Sequence, residues 1–365
     1  MNVPRNPANR GVAPFKRQTS CSPAAVMQVL SKHQGCARWA PIKGTLMNHV
    51  SFLRRLALCS AIVFSASAAQ AAYTVVPLTV PGSTFTQLFG VNDAGQVVGG
   101  SSLGGFVYSG GTFTFLPSIN GVLPTAFGIS NAGLVVGSYS TSLGSTESNG
   151  FLYDGTAYST FNVPGFSSTQ IRGISLDGRY LTGYDNITNT RGFVYDRATL
   201  SLTVLQHPST GAAIIQGANS AGLVTGGFSG PSGGAVIYNV VDGSTTVYNT
   251  VGGATSPRFR GINDDGLISG WGTVGTLGGG STTVGLVGSF AGGWQTITSP
   301  NGTDRTDLQG LNNLGVVVGN YLDANSIFTG FIATPVPEPQ TYALLVAGLA
   351  SVLLAVRRRR ATPAV

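Results

Sequence analysis

Beyond residue 46 the chain contains no lysine, and beyond residue 59 no cysteine; Lys16, Lys32, Lys43, Cys21, Cys36 and Cys59 account for all of both types. A fold built from the later residues therefore has neither disulfides nor a cysteine metal site, and packing and backbone hydrogen bonds must hold it. Charge of either sign is also scarce, at 9% of 365 residues, which argues against a helix-rich enzyme. What is abundant is glycine, with 53 copies, accompanied by Thr, Ser, Val and Tyr. That composition suits short strands joined by tight turns, so the chain reads as all-β.

The formal charge of +7 comes from the two ends. Between residues 72 and 335 seven arginines stand against twelve acids, a net −5, which removes the electrostatic basis for nucleic-acid binding. Histidine is scarce too: His207 is the one copy in this stretch, and no nucleophile elbow is expected beside it. Asp264 and Asp265 are adjacent carboxylates, but they fall in a repeated turn, and no calcium-loop pattern accompanies them. The reading is of a protein with no catalytic residues, no metal and no cofactor. A propeller hydrolase or lyase is the third alternative, behind a surface protein and a carbohydrate- or ligand-binding propeller.

Residues 47–71 place Arg54 and Arg55 ahead of an apolar run and end in Ala69-Gln70-Ala71. This is the layout of a secretory signal peptide cleaved between Ala71 and Ala72 by signal peptidase. Residues 1–46 then read as an extension upstream of the true start at Met47, the alternative being a genuine N-terminal segment. At the other end, residues 341–356 carry no charge and Arg357, Arg358, Arg359 and Arg360 follow. Sixteen helical residues span about 24 Å, a short transmembrane helix whose arginines stop transfer and leave 361–365 in the cytoplasm.

Val336, Pro337, Glu338 and Pro339, followed by that apolar helix and basic end, resemble the PEP-CTERM sorting signal over residues 336–360. The resemblance implies handling by an exosortase, a membrane-embedded cysteine transpeptidase of Gram-negative bacteria that make extracellular polysaccharide. The expected course is an inner-membrane precursor, then a cell-surface or matrix protein of the biofilm, with exopolysaccharide as a partner. A permanent single-span anchor is the plain alternative.

Between the ends one phrase recurs: GVNDAGQVVG from Gly90, GISNAGLVVG from Gly128, GISLDGRYLTG from Gly173, GANSAGLVTG from Gly217, GINDDGLISG from Gly261 and GLNNLGVVVG from Gly310. A period near 44 residues is that of a propeller blade. The second glycine, behind Asn, Asp or Ser, marks a hairpin turn with φ > 0. A GFVY-like phrase supplies a third strand, and an FTFLP-like phrase a fourth. The fourth is missing after the sixth repeat but present at the front, from Tyr73. The predicted fold over 72–335 is thus a six-bladed β-propeller-like ring closed by the N-terminal strand, which removes exposed sheet edges. The units also resemble the HAF family of extracellular repeats in pairing an Asn-x-x-Gly turn with an aromatic strand, although the tripeptide naming that family is absent.

In a closed ring, the residues just before each first glycine (Phe89, Phe127, Arg172, Gln216, Arg260 and Gln309) should encircle the axis. They either fill space between blades or form a ligand ring, in which Arg172, Gln216, Arg260 and Gln309 supply the polar contacts. The Phe and Tyr of the third strands read as core rather than as a sugar-stacking surface.

Overall fold

The computed structural model describes residues 72–336, apart from 186, 188–190, 207–211, 231–232, 277–278, 300 and 304, together with 348, 349 and 351. The expected signal peptide, the upstream extension, the basic stop-transfer cluster and His207 lie outside the described residues. So do Ala71, Pro337, Glu338, Pro339 and nearly all of the expected helix at 341–356. Among the described residues no helix is long and apolar enough to cross a membrane.

The strand β1 (Tyr73–Leu78) precedes the first blade, formed by β2 (Thr86–Val91), β3 (Val97–Ser101), β4 (Gly104–Ser109) and β5 (Thr112–Phe115). The second blade holds β6 (Thr125–Ile129), β7 (Val135–Ser140), β8 (Ser148–Tyr153) and β9 (Tyr158–Phe161). In the third stand β10 (Gln170–Ile174), β11 (Tyr180–Asp185), β12 (Arg191–Asp196) and β13 (Ser201–Leu205). The fourth comprises β14 (Ala213–Ala218), β15 (Leu223–Phe228), β16 (Gly234–Asn239) and β17 (Thr245–Tyr248). A fifth adds the short β18 (Thr250–Val251) to β19 (Ala254–Ile262), β20 (Ile268–Gly275), β21 (Ser281–Ser289) and β22 (Gly293–Ile297). The sixth combines β23 (Thr306–Leu311), β24 (Val317–Leu322) and β25 (Phe328–Pro335) with β1 as its outermost strand. The fold is all-β, a six-bladed propeller. Its fifth blade departs from the four-strand expectation, because the end of the phrase TTVYNTVG splits into β17 and the extra β18.

Each repeated phrase is an inner hairpin. Gly95, Gly133, Gly178, Gly222, Gly266 and Gly315 all have φ between +74° and +83°, the left-handed geometry that glycine alone adopts freely. Blade cores form between neighbours: Val98 of the first blade packs with Ala126, Ile129 and Phe151 of the second. Phe106, Phe151, Phe193 and Phe331 are wholly buried, so the core reading of the third-strand phenylalanines holds. Across the closing seam Val318 packs with Leu88, Val91 and Phe106.

Closure is by strand pairing. β1 runs antiparallel to β25, from Tyr73 opposite Pro335 to Leu78 opposite Gly330. Val336 N–H donates to Ala72 O at 2.7 Å, which makes Ala72 and Val336 a hydrogen-bonded pair and sets the alternation along the ladder. Pro77 then falls at a non-hydrogen-bonded position of the edge strand β1, where the missing N–H costs nothing, and Pro335 lies beyond the last β24–β25 pair, Val317 opposite Ala333. Asn320 adds a side-chain latch, donating to Leu88 O at 3.1 Å and accepting from Leu88 N–H at 2.8 Å.

Candidate functional site

Strands β2, β6, β10, β14 and β23 end their sheets on the axial side, and β19 does the same in the fifth blade apart from the two-residue β18 paired to its start. In each, the residue at position 88 or its equivalent points into a blade core: Leu88, Ala126, Ile171, Ile215, Phe259 and Leu308 are wholly buried. The next residue is a β-bulge, for the pairing register shifts between Leu88 and Gly90, Ala126 and Gly128, Ile171 and Gly173, Ile215 and Gly217, Phe259 and Gly261, and Leu308 and Leu311. A bulge turns the extra side chain away from the ladder. Phe89, Phe127, Arg172, Gln216, Arg260 and Gln309 therefore converge on the axis, where they line one cavity of about 60 Å³.

The glycine after each bulge allows the blades to meet backbone to backbone. A Cβ on Gly310 would lie 2.7 Å from Phe89 O and 2.9 Å from Gly90 Cα, and one on Gly128 would lie 3.1 Å from Ile174 N. Val91, Ile129, Ile174, Ala218, Ile262 and Leu311 come next along the strands and line the cavity with apolar surface.

Beyond that layer asparagines tie the turns of neighbouring blades together. Asn92 Nδ2 donates to Ser130 O at 3.0 Å, Asn219 Nδ2 to Asn263 O at 3.1 Å, Asn263 Nδ2 to Asn312 O at 3.1 Å, and Asn312 Nδ2 to Asn92 O at 2.9 Å. A second tier uses the following residue: Asp93 exchanges bonds with Asn131 and Asn313, and Asp264 with Ser220 and Asn313. Asp264 is thus a structural acceptor, and Asn313 and Ser220 hold its carboxyl below the usual range against the effect of burial. In the third blade this tier carries Leu176 instead, buried and lining the axial cavity.

The polar layer is cationic and unneutralised. Arg172 lies with its guanidinium carbon 3.9 Å from the Phe127 ring centre and 5.6 Å from that of Phe89, and its Nε donates to Gln216 Oε1 at 3.3 Å. It fills space between blades, as one reading of the ring expected, and makes no ion pair among the described residues. The Arg260 Nε is buried without a hydrogen-bond partner, and the side chain makes no ion pair among the described residues. Burial, with the neighbouring Arg172 charge, pushes Arg260 down to about 10, so it stays charged at neutral pH. Burial lowers Arg172 as well, with Tyr184 opposing. The nearby acid, Asp307, is already committed: its Oδ2 accepts from Arg305 at 2.8 and 2.7 Å, while its Oδ1 is buried and unpartnered.

All four ring residues proposed from sequence are therefore brought together with Phe89 and Phe127. The asparagine tier, Leu176, Tyr184 and Asp307 were not singled out, although Asn at the third position of the phrase was a visible signal for the first. One correction concerns the nucleophile elbow: Gly100-Ser101-Ser102-Leu103-Gly104 does carry its spacing. This stretch joins strand β3 to strand β4 rather than strand to helix, and Ser102 Oγ lies 2.9 Å from Ser83 Oγ. Among the described residues no cluster of three or more His, Cys, Asp or Glu could hold a metal ion.

No protein-family model matches the sequence, and no curated protein matches it. Solved structures similar in fold include TolB from Acinetobacter baumannii, at 12% identity and a TM-score of 0.42, covering 70% of this chain and 65% of that one. A catalytically inactive virginiamycin B lyase from Staphylococcus aureus with quinupristin gives 11% and 0.42, covering 73% of this chain and 100% of that one. The β-propeller domain of the Trilobed protease from Pyrococcus furiosus, described as having an open velcro topology, gives 10% and 0.38, covering 70% and 98%. This chain thus spans just under two thirds of the TolB chain, and likeness at this level says nothing of activity.

Proposed function

We propose that the chain is an exported, non-enzymatic propeller displayed at the cell surface or in the extracellular matrix, released from its membrane precursor by an exosortase. One observation carries this reading. The ladder begins at Tyr73, one residue after the proposed signal cleavage, and ends at Pro335, one residue before the sorting motif. Both processing points therefore border the closed ring, and either peptide can be removed without opening a blade. Replacing Pro337, Glu338 and Pro339 together by Ala should leave an unprocessed membrane precursor in the native host. Intact-mass analysis checks this, and normal maturation of the triple variant would refute the sorting step.

The axial cavity favours a second, compatible reading, a ligand-binding propeller for acidic exopolysaccharide. Two arginines without carboxylate partners at the centre of a net-acidic domain are what this reading rests on.

A further inference from the structure

We infer that the axial cavity is a binding site for a single carboxylate on a small apolar stem, held by Arg260 and Arg172 with Gln309. The inference rests on the ligand-binding reading and names the ligand's chemistry.

Charge is the first argument. Two guanidinium groups share one small cavity, and a buried cation without a partner is costly. Asp307 would be the natural counter-ion, but both nitrogens that Arg305 offers it are nearer. An anion entering the cavity would meet Arg260, whose Nε is buried without a hydrogen-bond partner, and Arg172; neither side chain makes an ion pair among the described residues. Arg172 is already fixed by the Phe127 face and Gln216, so little side-chain freedom is lost on binding. Gln309 is 8% exposed and adds an amide to the same layer.

Shape is the second. About 60 Å³ holds roughly four waters, which matches the four heavy atoms of acetate and excludes a pyranose ring. The two halves of the cavity differ in polarity. Planar guanidinium forks suit carboxylate oxygens bidentately, whereas Leu176, Ile129, Ile174, Ile262 and Leu311 offer the far end only apolar contact. A methyl or methylene fits there and a phosphate oxygen does not.

The test uses the full-length chain in mild detergent, with sodium acetate compared with sodium chloride and sodium phosphate at equal ionic strength. Acetate should raise the thermal midpoint saturably, while chloride and phosphate should not. Arg260→Gln should weaken the acetate effect at least tenfold and yet raise the midpoint in acetate-free buffer, because it removes an unpaired charge. Gln309→Leu, which leaves both cations in place, should weaken the effect less. An acetate response no larger than that of chloride would overturn the inference, as would an undiminished response in Arg260→Gln. So would a lower acetate-free midpoint in that variant, which would make Arg260 structural. Polygalacturonate separates the sources of the group. Acetate binding without polymer binding makes the ligand a free small acid, whereas polymer binding that acetate competes away would overturn the shape argument, because the carboxylate of this polymer sits on a pyranose ring. Polymer binding that acetate leaves untouched would keep the ligand-binding reading while removing this site.

Discussion

Substituting Gly310 by Ala tests how the ring is packed at its closing seam. Gly310 follows the bulge of β23, and its φ is not in the left-handed region, so Ala brings no backbone strain of its own. The new Cβ would sit 2.7 Å from Phe89 O and 2.9 Å from Gly90 Cα, both main-chain atoms of the first blade. Ordinary contact needs at least about half an ångström more, and only a shift of one blade against the other can supply it. Overpacking of this kind costs about 1–3 kcal/mol. The same shift stretches the Asn312–Asn92 bond at 2.9 Å and both Asn320–Leu88 bonds, and losing two of these three adds about 1 kcal/mol each. A destabilisation of about 3–5 kcal/mol follows. Gly95→Ala is the control: its φ is +75°, but nothing lies within 4 Å of the new methyl, so the cost is strain alone, about 1–2 kcal/mol. Urea unfolding of the two variants checks the ranking. Should Gly310→Ala cost less than Gly95→Ala, the backbone-to-backbone account of the axis is wrong.

Asn320→Leu keeps the side chain's size but leaves both Leu88 main-chain groups buried and unpaired, for a loss of about 2–4 kcal/mol by urea unfolding. Asn162→Ala, which removes only an exposed bond to Asn149, should be nearly silent in the same assay. The Arg179 guanidinium, donating at 3.0 and 2.8 Å, holds the Asp196 carboxyl well below the usual range. A depressed folded-state pKa contributes stability that is present above about pH 4 and is lost as pH falls toward the folded value. Asp196→Asn should therefore flatten the fall in thermal midpoint below pH 4, and an unchanged acid limb would refute the pairing.

Much of the ring could be read from sequence because its constraints repeat. A turn glycine with positive φ and the glycine after each bulge recur once per blade, and a buried third-strand Phe in four of the six. The displaced fourth-strand phrase at Tyr73 showed which end closes the ring. The axial residues were legible for the same reason, since equivalent positions on a closed ring must meet. What did not repeat stayed hidden. Leu176 occupies a position that is Asp, Asn or Ser in the other blades, and only the geometry shows that it floors the cavity. Arg305 engages only one oxygen of Asp307, a pairing that lies outside the repeated phrase. The split of the fourth phrase into β17 and β18 depends on how Thr250 and Val251 pair with Thr255 and Ala254, a local matter of register.

Circular closure by β1 is the claim on which the axial site depends, and a cross-strand disulfide tests it most directly. Val75 and Ala333 are opposite one another at a non-hydrogen-bonded position of the β1–β25 ladder, where Cα atoms stand about 4.5 Å apart, within disulfide reach. Val75→Cys with Ala333→Cys would close a loop of about 260 residues, worth about 5 kcal/mol in lost unfolded-state entropy. Peptide mapping of the non-reduced double variant should recover a cross-linked fragment joining β1 to β25, with a higher thermal midpoint that falls on reduction. Two free thiols under oxidising conditions, or cross-links only between separate chains, would contradict a ring closed by its own N-terminal strand.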